Sequence, residues 1–336
     1  MPYREVVAAT GLCVREFASE LDQAMQDDLV EWLEGGILRL TAKGQQYAEQ
    51  CSLRHQPQVR CDQCHGRGVD LRRPPYASLL QQFRDLTADR PQPLAKYDQG
   101  PVRPEVTVAR VALMDLLGDL DGQRILVLGD DDLTGLALGL TGKPAAVEVL
   151  DIDTRILEFI AEKARSAGIR NLSVHQYDVR DPLPANLQKS CDVFLTDPVE
   201  TLPGFTLFLS RCAEALRGAR TAGYFGLTKI EASRYKWLLL QRRLTEMGFA
   251  ITDALRDFNT YLVGWADMVA GDRIIEGTKA YLPSATDSPQ EDWYRSTLIR
   301  VEAANAPTPL FLGSLDLGPA LYKDDDSYEY LVPLES

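Results

Sequence analysis

The chain has 336 residues, of which 45% are hydrophobic, and its 49 acidic and 36 basic residues give a net charge of −13. This length allows a full buried core divided among two or three domains. The acidic balance argues against a nucleic-acid binder, which contacts phosphates through clustered lysine and arginine, and it suits a cationic small ligand.

No stretch approaches the roughly 18 to 20 apolar residues that span a bilayer, and the N-terminal residues lack the apolar core of a signal peptide. We therefore expect a cytoplasmic protein without a membrane partner. The six cysteines are then expected to be reduced.

Residues 1–50 predict a small N-terminal domain. Apolar residues recur at three- and four-residue spacing from Phe17 to Leu33, which indicates an amphipathic helix. A Gly-Gly turn, a short strand, another turn and a second helix follow, in the order of a winged helix-turn-helix. Residues 1–60 hold six basic and nine acidic side chains, which favours a structural or dimerisation module over DNA binding. We accordingly expect a homo-oligomer, namely a dimer.

Residues 51–75 form a polar connector that contains Cys61-x2-Cys64. This spacing is typical of half a structural zinc site. Further ligand candidates are Cys51, His55 and His65. Because no second CxxC follows, three interpretations stay open: zinc bound within the chain, zinc completed by a second subunit, or a turn without metal.

Residues 76–305 alternate strand and helix patterns, which predicts a mostly parallel sheet with helices on both faces. The predicted strands are Arg124–Leu128, Ala146–Leu150, Leu172–His175, Cys191–Thr196, Thr221–Leu227, Ala250–Leu255 with Thr260–Val263, and Thr297–Val301. Short connections between the last strands suit an antiparallel edge. This is the outline of the α/β class I S-adenosylmethionine-transferase fold, a relative of the Rossmann arrangement.

Carboxylates follow the first four predicted strands, at the edge where open α/β sheets bind their ligands. A carboxylate that closes the second strand can accept both ribose hydroxyls, which predicts this role for Asp151. An acid just past the third strand suits the exocyclic amine of adenine, which predicts a role for Asp178. Gly129, which opens the turn after the first strand, completes the predicted nucleoside site. Helix capping or a turn is the alternative for both aspartates.

The remaining acids are expected to converge around the reacting end of the ligand. They are Asp130, Asp131, Asp132, Asp197 and Glu200. The carboxylate of S-adenosylmethionine would be repelled there, whereas decarboxylated S-adenosylmethionine brings only a sulfonium and a primary ammonium. A metal site for Mg²⁺ or Ca²⁺ is the alternative, but the run lacks the ligand spacing of a calcium loop.

The same acidity suits a polyamine acceptor. Polyamine nitrogens are mostly protonated near pH 7, so one carboxylate is needed as a general base and others to hold the flanking ammoniums. Crowding within the Asp130–Asp132 run is expected to raise at least one pKa towards a useful value. Upstream, Tyr97 and Asp98 are expected to line the acceptor channel. Downstream, Asp257, Asn259 and Tyr261 fall near a strand junction.

Residues 306–336 form an acidic tail with several aromatic residues. Two interpretations stay open: a solvated acidic end, or a segment that folds over a cationic substrate.

Seven features together resemble the branched-chain polyamine synthases, whose full name is N4-bis(aminopropyl)spermidine synthases, found in thermophilic archaea and bacteria. These features are the winged-helix-like segment and the motifs CxxC-x-G-x-G, YDQ, GDDDL, LDID, TDPxET and AGYFG. The resemblance spans roughly residues 5 to 265.

The resemblance implies an aminopropyltransferase that uses decarboxylated S-adenosylmethionine and adds aminopropyl groups to the N4 amine of spermidine. It implies that the GDDD aspartates form the acidic active site, with Asp131 most closely tied to catalysis. Linear spermidine synthases rely instead on an aspartate after the fourth strand, which is Asp197 here. We therefore predict both as catalytic residues and rank Asp131 first as the base.

Three rival functions remain: a linear spermidine or thermospermine synthase, an S-adenosylmethionine-dependent methyltransferase, and a transcriptional regulator that senses a polyamine or nucleoside. The three aspartates disfavour the methyltransferase. The N-terminal segment lacks the basic recognition helix that a regulator needs.

Overall fold

The computed structural model describes residues 1–10, 12–33, 36–51, 61, 63–262 and 294–326. The N-terminal elements are α1 (Tyr3–Thr10), α2 (Val14–Gln26), β1 (Val30–Leu33), β2 (Ile37–Leu40) and α3 (Ala42–Gln50). Strands β1 and β2 pair antiparallel as a hairpin.

The predicted helix from Phe17 to Leu33 is wrong in its second half, because α2 ends at Gln26 and its continuation is strand β1. Asp28 takes a positive φ of 56°, which a helix cannot continue through. The apolar side chains beyond it pack as a hairpin, with the Trp32 ring centroid 5.5 Å from that of Tyr3.

Residues 63–123 carry a helical layer that leads into the sheet. Its elements are α4 (Tyr76–Leu86), a short 3₁₀ helix (Ala95–Tyr97) and α5 (Pro104–Leu116). Among the described residues of this stretch there is no strand before β3, and Val102 forms an isolated bridge with Tyr261. Helix α5 begins at Pro104, a residue that fits the first turn because its missing N–H has no partner there anyway.

The main sheet has seven strands in the order β5-β4-β3-β6-β7-β9-β8. Its elements in chain order are β3 (Arg124–Leu128), α6 (Thr134–Thr141), β4 (Ala146–Asp151), α7 (Thr154–Ser166), β5 (Leu172–Gln176), β6 (Val193–Thr196), α8 (Leu202–Ala215), β7 (Ala222–Thr228), α9 (Arg234–Glu246), β8 (Phe249–Thr260) and β9 (Arg295–Ala303). Strands β3 to β7 run parallel, and β9 lies antiparallel between β7 and β8. The predicted class I transferase fold is confirmed.

The strand pair predicted near residue 255 is one bulged strand, β8. Its register against β9 shifts between Leu255 and Asn259, where Asp257 takes a positive φ of 55°. A bulge of this kind bends the strand and redirects the side chains that follow it. Val263, the end of the predicted second strand, lies outside the described residues.

The parallel strands β3, β4, β5 and β6 end at one edge of the sheet, which places the predicted site residues together. Gly129 turns the chain there with a φ of 73°, and its N–H donates to the Leu150 carbonyl at 2.8 Å. No helix within the described ranges is long and apolar enough to cross a bilayer.

Candidate active site

A first pocket, with about 690 Å³ of space that includes open solvent, lies at the carboxyl ends of β3, β4 and β5. Gly129, Asp151 and Asp178 line it, as do the rings of Tyr177 and Phe208. The three predicted nucleoside-binding residues therefore lie in one pocket.

Asp151 and Asp178 also serve the backbone around the pocket. Asp151 accepts the N–H groups of Asp130 and Asp153, both at 2.8 Å, and burial raises its pKa. Asp178 is held by Arg180, which lowers the pKa of this carboxyl through side-chain and backbone hydrogen bonds. Each carboxylate oxygen has two lone pairs, so both residues keep acceptor capacity towards the pocket.

A second pocket, with about 460 Å³ of space that includes open solvent, adjoins the first, and its charged lining residues within the described ranges are all acidic. They are Asp98, Asp131, Asp197, Glu200 and Glu231. Because Asp98, Asp131 and Asp197 line both pockets, the two pockets meet at these three carboxylates. This junction is where a group could pass from one bound molecule to another.

The three adjacent aspartates do not converge, contrary to the prediction from the sequence. Asp130 is buried and accepts the N–H groups of Thr134 and Gly135 at 2.6 and 2.9 Å, at the start of α6. It lies outside the lining of both pockets. The turn to α6 passes through Leu133, which has a positive φ of 56°.

Asp132 also lies outside the lining of both pockets. Its Oδ1 accepts the Val102 N–H at 2.6 Å, and its Oδ2 pairs with the buried guanidinium of Arg110 at 2.5 Å. Of the three aspartates, Asp131 alone reaches the junction.

Asp131 Oδ2 is shielded from solvent and has no hydrogen-bond partner among the described residues. Burial is the main reason that the pKa of Asp131 lies well above its ordinary value, and Asp132 adds to the shift. Arg90 opposes it, and its Nη2 donates to the backbone carbonyl of Asp131. Asp131 lines the junction, and its carboxylate can accept a proton from a molecule bound there.

Asp197 faces the same junction with two partners. Its Oδ2 accepts from Arg110 Nη2 at 3.2 Å and from the Tyr261 hydroxyl at 2.9 Å. Burial raises its pKa, and Arg110 counteracts this effect. The Asp197 carboxylate lies close to the backbone of Gly226, and this position requires glycine because a Cβ there would lie 2.4 Å from Asp197 Oδ1.

Glu200 lines the second pocket, as its predicted substrate-binding role requires. Its oxygens accept the N–H and hydroxyl of Thr228 at 2.6 and 2.5 Å. Glu231 lies beside it and accepts the hydroxyl of Tyr294. Burial, and then the charge of Glu231, hold the pKa of Glu200 well above its ordinary value. A cation in this pocket would relieve that repulsion.

The other predicted residues divide between the pockets and their surroundings. Tyr97 lines the first pocket and Asp98 lines both. Tyr261 lines the second pocket, and Asn259 lies behind it, bonded to Arg110. Asp257 lies at the β8 bulge and lines neither pocket.

The predicted zinc turn is formed, but it supplies only two thiols. Backbone N–H groups of Gly68 and Gly66 lower the pKa of Cys64, as in a turn that favours a thiolate. The described part of the chain contains no group of three or more side chains that could hold a metal ion. His55 lies outside the described residues, so zinc at Cys61 and Cys64 stays a prediction.

The tail from residue 306 to residue 326 packs against the sheet domain. Tyr322 lines the first pocket, and Lys236 Nζ donates to Asp324 at 2.7 Å. Asp326 is buried and pairs with Arg15 of α2 at 2.7 Å. A solvated end does not describe this segment. Residues 327–336 lie outside the described residues.

The sequence-based prediction omits several residues of the site, among them Arg110, Glu231 and Tyr294. Arg110 carries a signal, since it is the only charged side chain between Glu105 and Asp115 on an apolar helix, and a buried arginine needs an acidic partner. Glu231 follows the end of β7, so the same strand-end argument could have found it, whereas Tyr294 precedes β9 and carries no such signal.

Residues 78–329 match the family described as the branched-chain polyamine synthase A C-terminal domain. The chain belongs to the branched-chain polyamine synthase family. Its curated relatives include the N(4)-bis(aminopropyl)spermidine synthase of Thermococcus kodakarensis, 40% identical over 86% of this chain and 80% of the relative. The synthase of the same name from Methanocaldococcus jannaschii is 37% identical over 92% of this chain and 85% of the relative.

A crystal structure of the branched-chain polyamine synthase from Thermus thermophilus has a TM-score of 0.81 and 34% identity, covering 98% of this chain and 89% of the relative. That synthase was solved in complex with N4-aminopropylspermidine and 5′-methylthioadenosine. Membership among the branched-chain polyamine synthases makes the chain a transferase and sets aside the interpretation as a transcriptional regulator.

Proposed function

We propose that the protein transfers aminopropyl groups from decarboxylated S-adenosylmethionine to the N4 amine of spermidine and forms N4-bis(aminopropyl)spermidine. The observation that carries this proposal is the junction of two pockets at Asp98, Asp131 and Asp197. One pocket has nucleoside-type carboxylates, and the other has only acidic charged groups, so a nucleoside donor and a polycationic acceptor meet at the junction.

The first pocket suits the donor. Asp151 accepts the ribose hydroxyls and Asp178 the adenine amine, while the aminopropyl arm extends towards Asp131 and Asp197. Among the described residues, the lining of this pocket contains no lysine or arginine that could pair with a donor carboxylate. The intact methyl donor would place its carboxylate against the junction aspartates, so this lining favours the decarboxylated form.

The second pocket suits the acceptor. Glu200 and Glu231 hold the ammonium groups on either side of the reacting nitrogen, and Tyr261 and Tyr294 pack on the methylene segments. Five carboxylates in one pocket repel one another, and a bound polycation replaces that repulsion with attraction. The repulsion among these carboxylates lowers the stability of the empty protein, and its relief contributes to the free energy of acceptor binding.

Each transfer forms one N–C bond and breaks one S–C bond, and 5′-methylthioadenosine leaves with the electron pair of the broken bond. The secondary amine of spermidine must first lose a proton, because only its free lone pair attacks the methylene carbon. The product is a protonated tertiary amine, which again loses a proton before the second attack. The second attack gives a quaternary ammonium.

Asp131 accepts the proton of the reacting amine in this proposal, and Asp197 binds an ammonium group of the acceptor. Asp131 has a carboxylate oxygen without a donor and a pKa raised by burial, which suits a general base near neutral pH. Asp197 receives hydrogen bonds from Arg110 and Tyr261, which compete with a proton for the same oxygen. The two carboxylates therefore take different tasks.

Mass spectrometry of the amine products tests the function. The protein is incubated with spermidine and decarboxylated S-adenosylmethionine, and in parallel with spermidine and intact S-adenosylmethionine. We expect two successive additions at the internal nitrogen with the first donor and no product with the second. A single terminal addition would identify a linear synthase, and methylated spermidine a methyltransferase; either result would refute the proposal.

The variants Asp131→Asn and Asp197→Asn test the division of roles. Asp131→Asn is expected to lower kcat at least about a hundredfold, the usual size of general base catalysis, with spermidine affinity nearly unchanged. Asp197→Asn is expected to raise KM for spermidine more than it lowers kcat. If the two patterns are exchanged, the base is Asp197.

A further inference from the structure

Arg110 is a buried arginine that contacts the site from behind. It lies in α5 with a side chain 2% exposed, and it lines neither pocket. Its Nε donates to Asn259 at 2.9 Å, its Nη1 to Asp132 at 2.5 Å and its Nη2 to Asp197 at 3.2 Å. Arg110 can therefore act on a substrate only through Asp197.

The partners of Arg110 are themselves fixed, so the guanidinium has a single orientation. Asp132 is held by the Val102 N–H, and the Asn259 amide donates to Ser296 Oγ at 2.8 Å. The Tyr261 hydroxyl, which donates to Asp197, also contacts Ser296 Oγ at 2.9 Å. Contacts from α5, the β3–α6 turn, β8 and β9 thus fix one oxygen of Asp197.

The arrangement separates the two carboxylates of the junction. Arg110 pairs with Asp197, whereas the nearby cation at Asp131 is Arg90, which donates to the backbone rather than to the carboxylate. We propose that Arg110 is a positioning residue that keeps Asp197 ionised and aimed at the acceptor, so that Asp131 alone takes the proton. This role rests on the proposed function.

Asp132 gives the inference a sharp test because it competes with Asp197 for the same guanidinium. Without Arg110, Asp197 faces Asp132 across a buried gap and loses its counterion. Without the charge of Asp132, Asp197 is the remaining carboxylate partner of Arg110, so the guanidinium is no longer shared between two carboxylates. The two substitutions break the same ion pair but act on Asp197 with opposite sign.

Calorimetry with the full chain saturated with 5′-methylthioadenosine measures this effect as spermidine binding, without requiring turnover. Arg110→Gln is expected to weaken spermidine binding about tenfold or more at pH 7, because Asp197 loses its counterion and its carboxylate is no longer held towards the acceptor. Asp132→Asn is expected to bind spermidine at least as tightly as the wild type. Arg110→Lys keeps the charge and is expected to recover most of the loss.

The pH dependence gives a second readout. The charged or titratable groups nearest to Asp197 are Arg110, Asp131, Asp132 and Tyr261, and across the pocket lie Asp98, Glu200, Glu231 and Tyr294. The carboxylates among them favour protonation of Asp197, and Arg110 is the cation that opposes them. Spermidine affinity of Arg110→Gln is therefore expected to fall more steeply than that of the wild type between pH 8 and about pH 6.

Two results would overturn the role of Arg110. The first is an Arg110→Gln variant that still binds 5′-methylthioadenosine and binds spermidine with wild-type affinity. The second is a loss of spermidine affinity in Asp132→Asn equal to that in Arg110→Gln, which would indicate that the Arg110–Asp132 pair has only a structural role. If Arg110→Gln does not fold, Arg110→Lys and Asp132→Asn decide, since a tenfold loss in both refutes the role. A wild-type protein that binds no spermidine would instead refute the proposed function.

Discussion

The three adjacent aspartates, each replaced by asparagine in turn, are expected to give three different outcomes. Asp130 accepts two backbone N–H groups at the start of α6, Asp131 has an oxygen without a partner, and Asp132 pairs with a buried arginine. The same substitution therefore has a different effect at each position. It removes a charged acceptor at the start of α6 at Asp130, a charge without a donor at Asp131 and an ion pair at Asp132. Differences in the free energy of unfolding separate these roles.

Asp130→Asn is expected to lower the free energy of unfolding by about 2 kcal/mol. A hydrogen bond to a charged group contributes roughly 1.5 to 3 kcal/mol, and asparagine keeps one acceptor but points its amide at the second donor. Burial raises the pKa of Asp130, so removing the charge returns part of the loss. The turnover of the folded variant is expected to stay within about threefold of the wild type, because Asp130 lines neither pocket.

Asp131→Asn is expected to raise the free energy of unfolding by about 1 kcal/mol. The charge removed is shielded and has no donor at Oδ2, and the low end of the roughly 1 to 3 kcal/mol range applies because the residue is partly exposed. Asp132→Asn leaves the guanidinium of Arg110 with one carboxylate partner, Asp197, instead of two. Breaking a buried pair costs about 3 to 5 kcal/mol, and the remaining bonds to Asp197 and Asn259 favour the lower figure.

Urea unfolding followed by circular dichroism at pH 7.5 is the assay. With a slope of about 3 kcal/mol per molar urea, the Asp130→Asn midpoint falls by roughly 0.7 M and the Asp131→Asn midpoint rises by roughly 0.3 M. The expected order of midpoints is Asp131→Asn, wild type, Asp130→Asn, Asp132→Asn. A midpoint of Asp131→Asn below the wild type, or equal shifts in all three variants, would refute the reasoning.

Three further predictions concern pH, the glycine at the junction and the tail. The folded protein holds the Asp131 proton more tightly than the unfolded chain, so the stability advantage of Asp131→Asn is expected to shrink as pH falls towards about 4 in urea titrations, and wild-type kcat to fall as pH drops through the raised pKa. Gly226→Ala places a Cβ 2.4 Å from Asp197 Oδ1 and is expected to raise KM for spermidine about tenfold in steady-state assays, without weakening 5′-methylthioadenosine binding; a purely stability-related loss would contradict this. Arg15→Ala breaks a half-exposed ion pair and is expected to lower Tm by at most about 3 °C, whereas Asp326→Asn also weakens its bonds to the residue that caps α9 and is expected to lower Tm more; equal shifts would refute the anchoring of the tail.

The sheet could be predicted from the sequence because its parallel strands are short apolar runs between helical patterns. The predicted bounds of strand β3, Arg124 and Leu128, are confirmed. The N-terminal hairpin could not be predicted in the same way, because apolar residues from Leu29 to Leu33 fit a helical or a strand period equally over so few positions. The bulge at Asp257 likewise left no apolar signal, so one strand was predicted as two.

The position of the site could be predicted, but the direction of its side chains could not. Strand ends place Asp131, Asp197 and Glu200 at one edge, and all three line the second pocket. The spacing of three consecutive aspartates does not tell which one faces the ligand, since this depends on the N–H groups at the start of α6 that hold Asp130 and on the guanidinium from α5 that holds Asp132.

The acidity of the run serves two purposes that the sequence merges into one. Asp130 and Asp132 are structural anions: one fixes the start of α6 and the other fixes Arg110, and each is matched by donors that satisfy it. Together they fix the ends of the turn that presents Asp131 to the junction. The residue without a matching donor is then the one whose charge remains available to a substrate. For a protein that binds polycations, a carboxylate that the fold leaves unsatisfied is a better guide to the reacting group than the number of carboxylates in the motif.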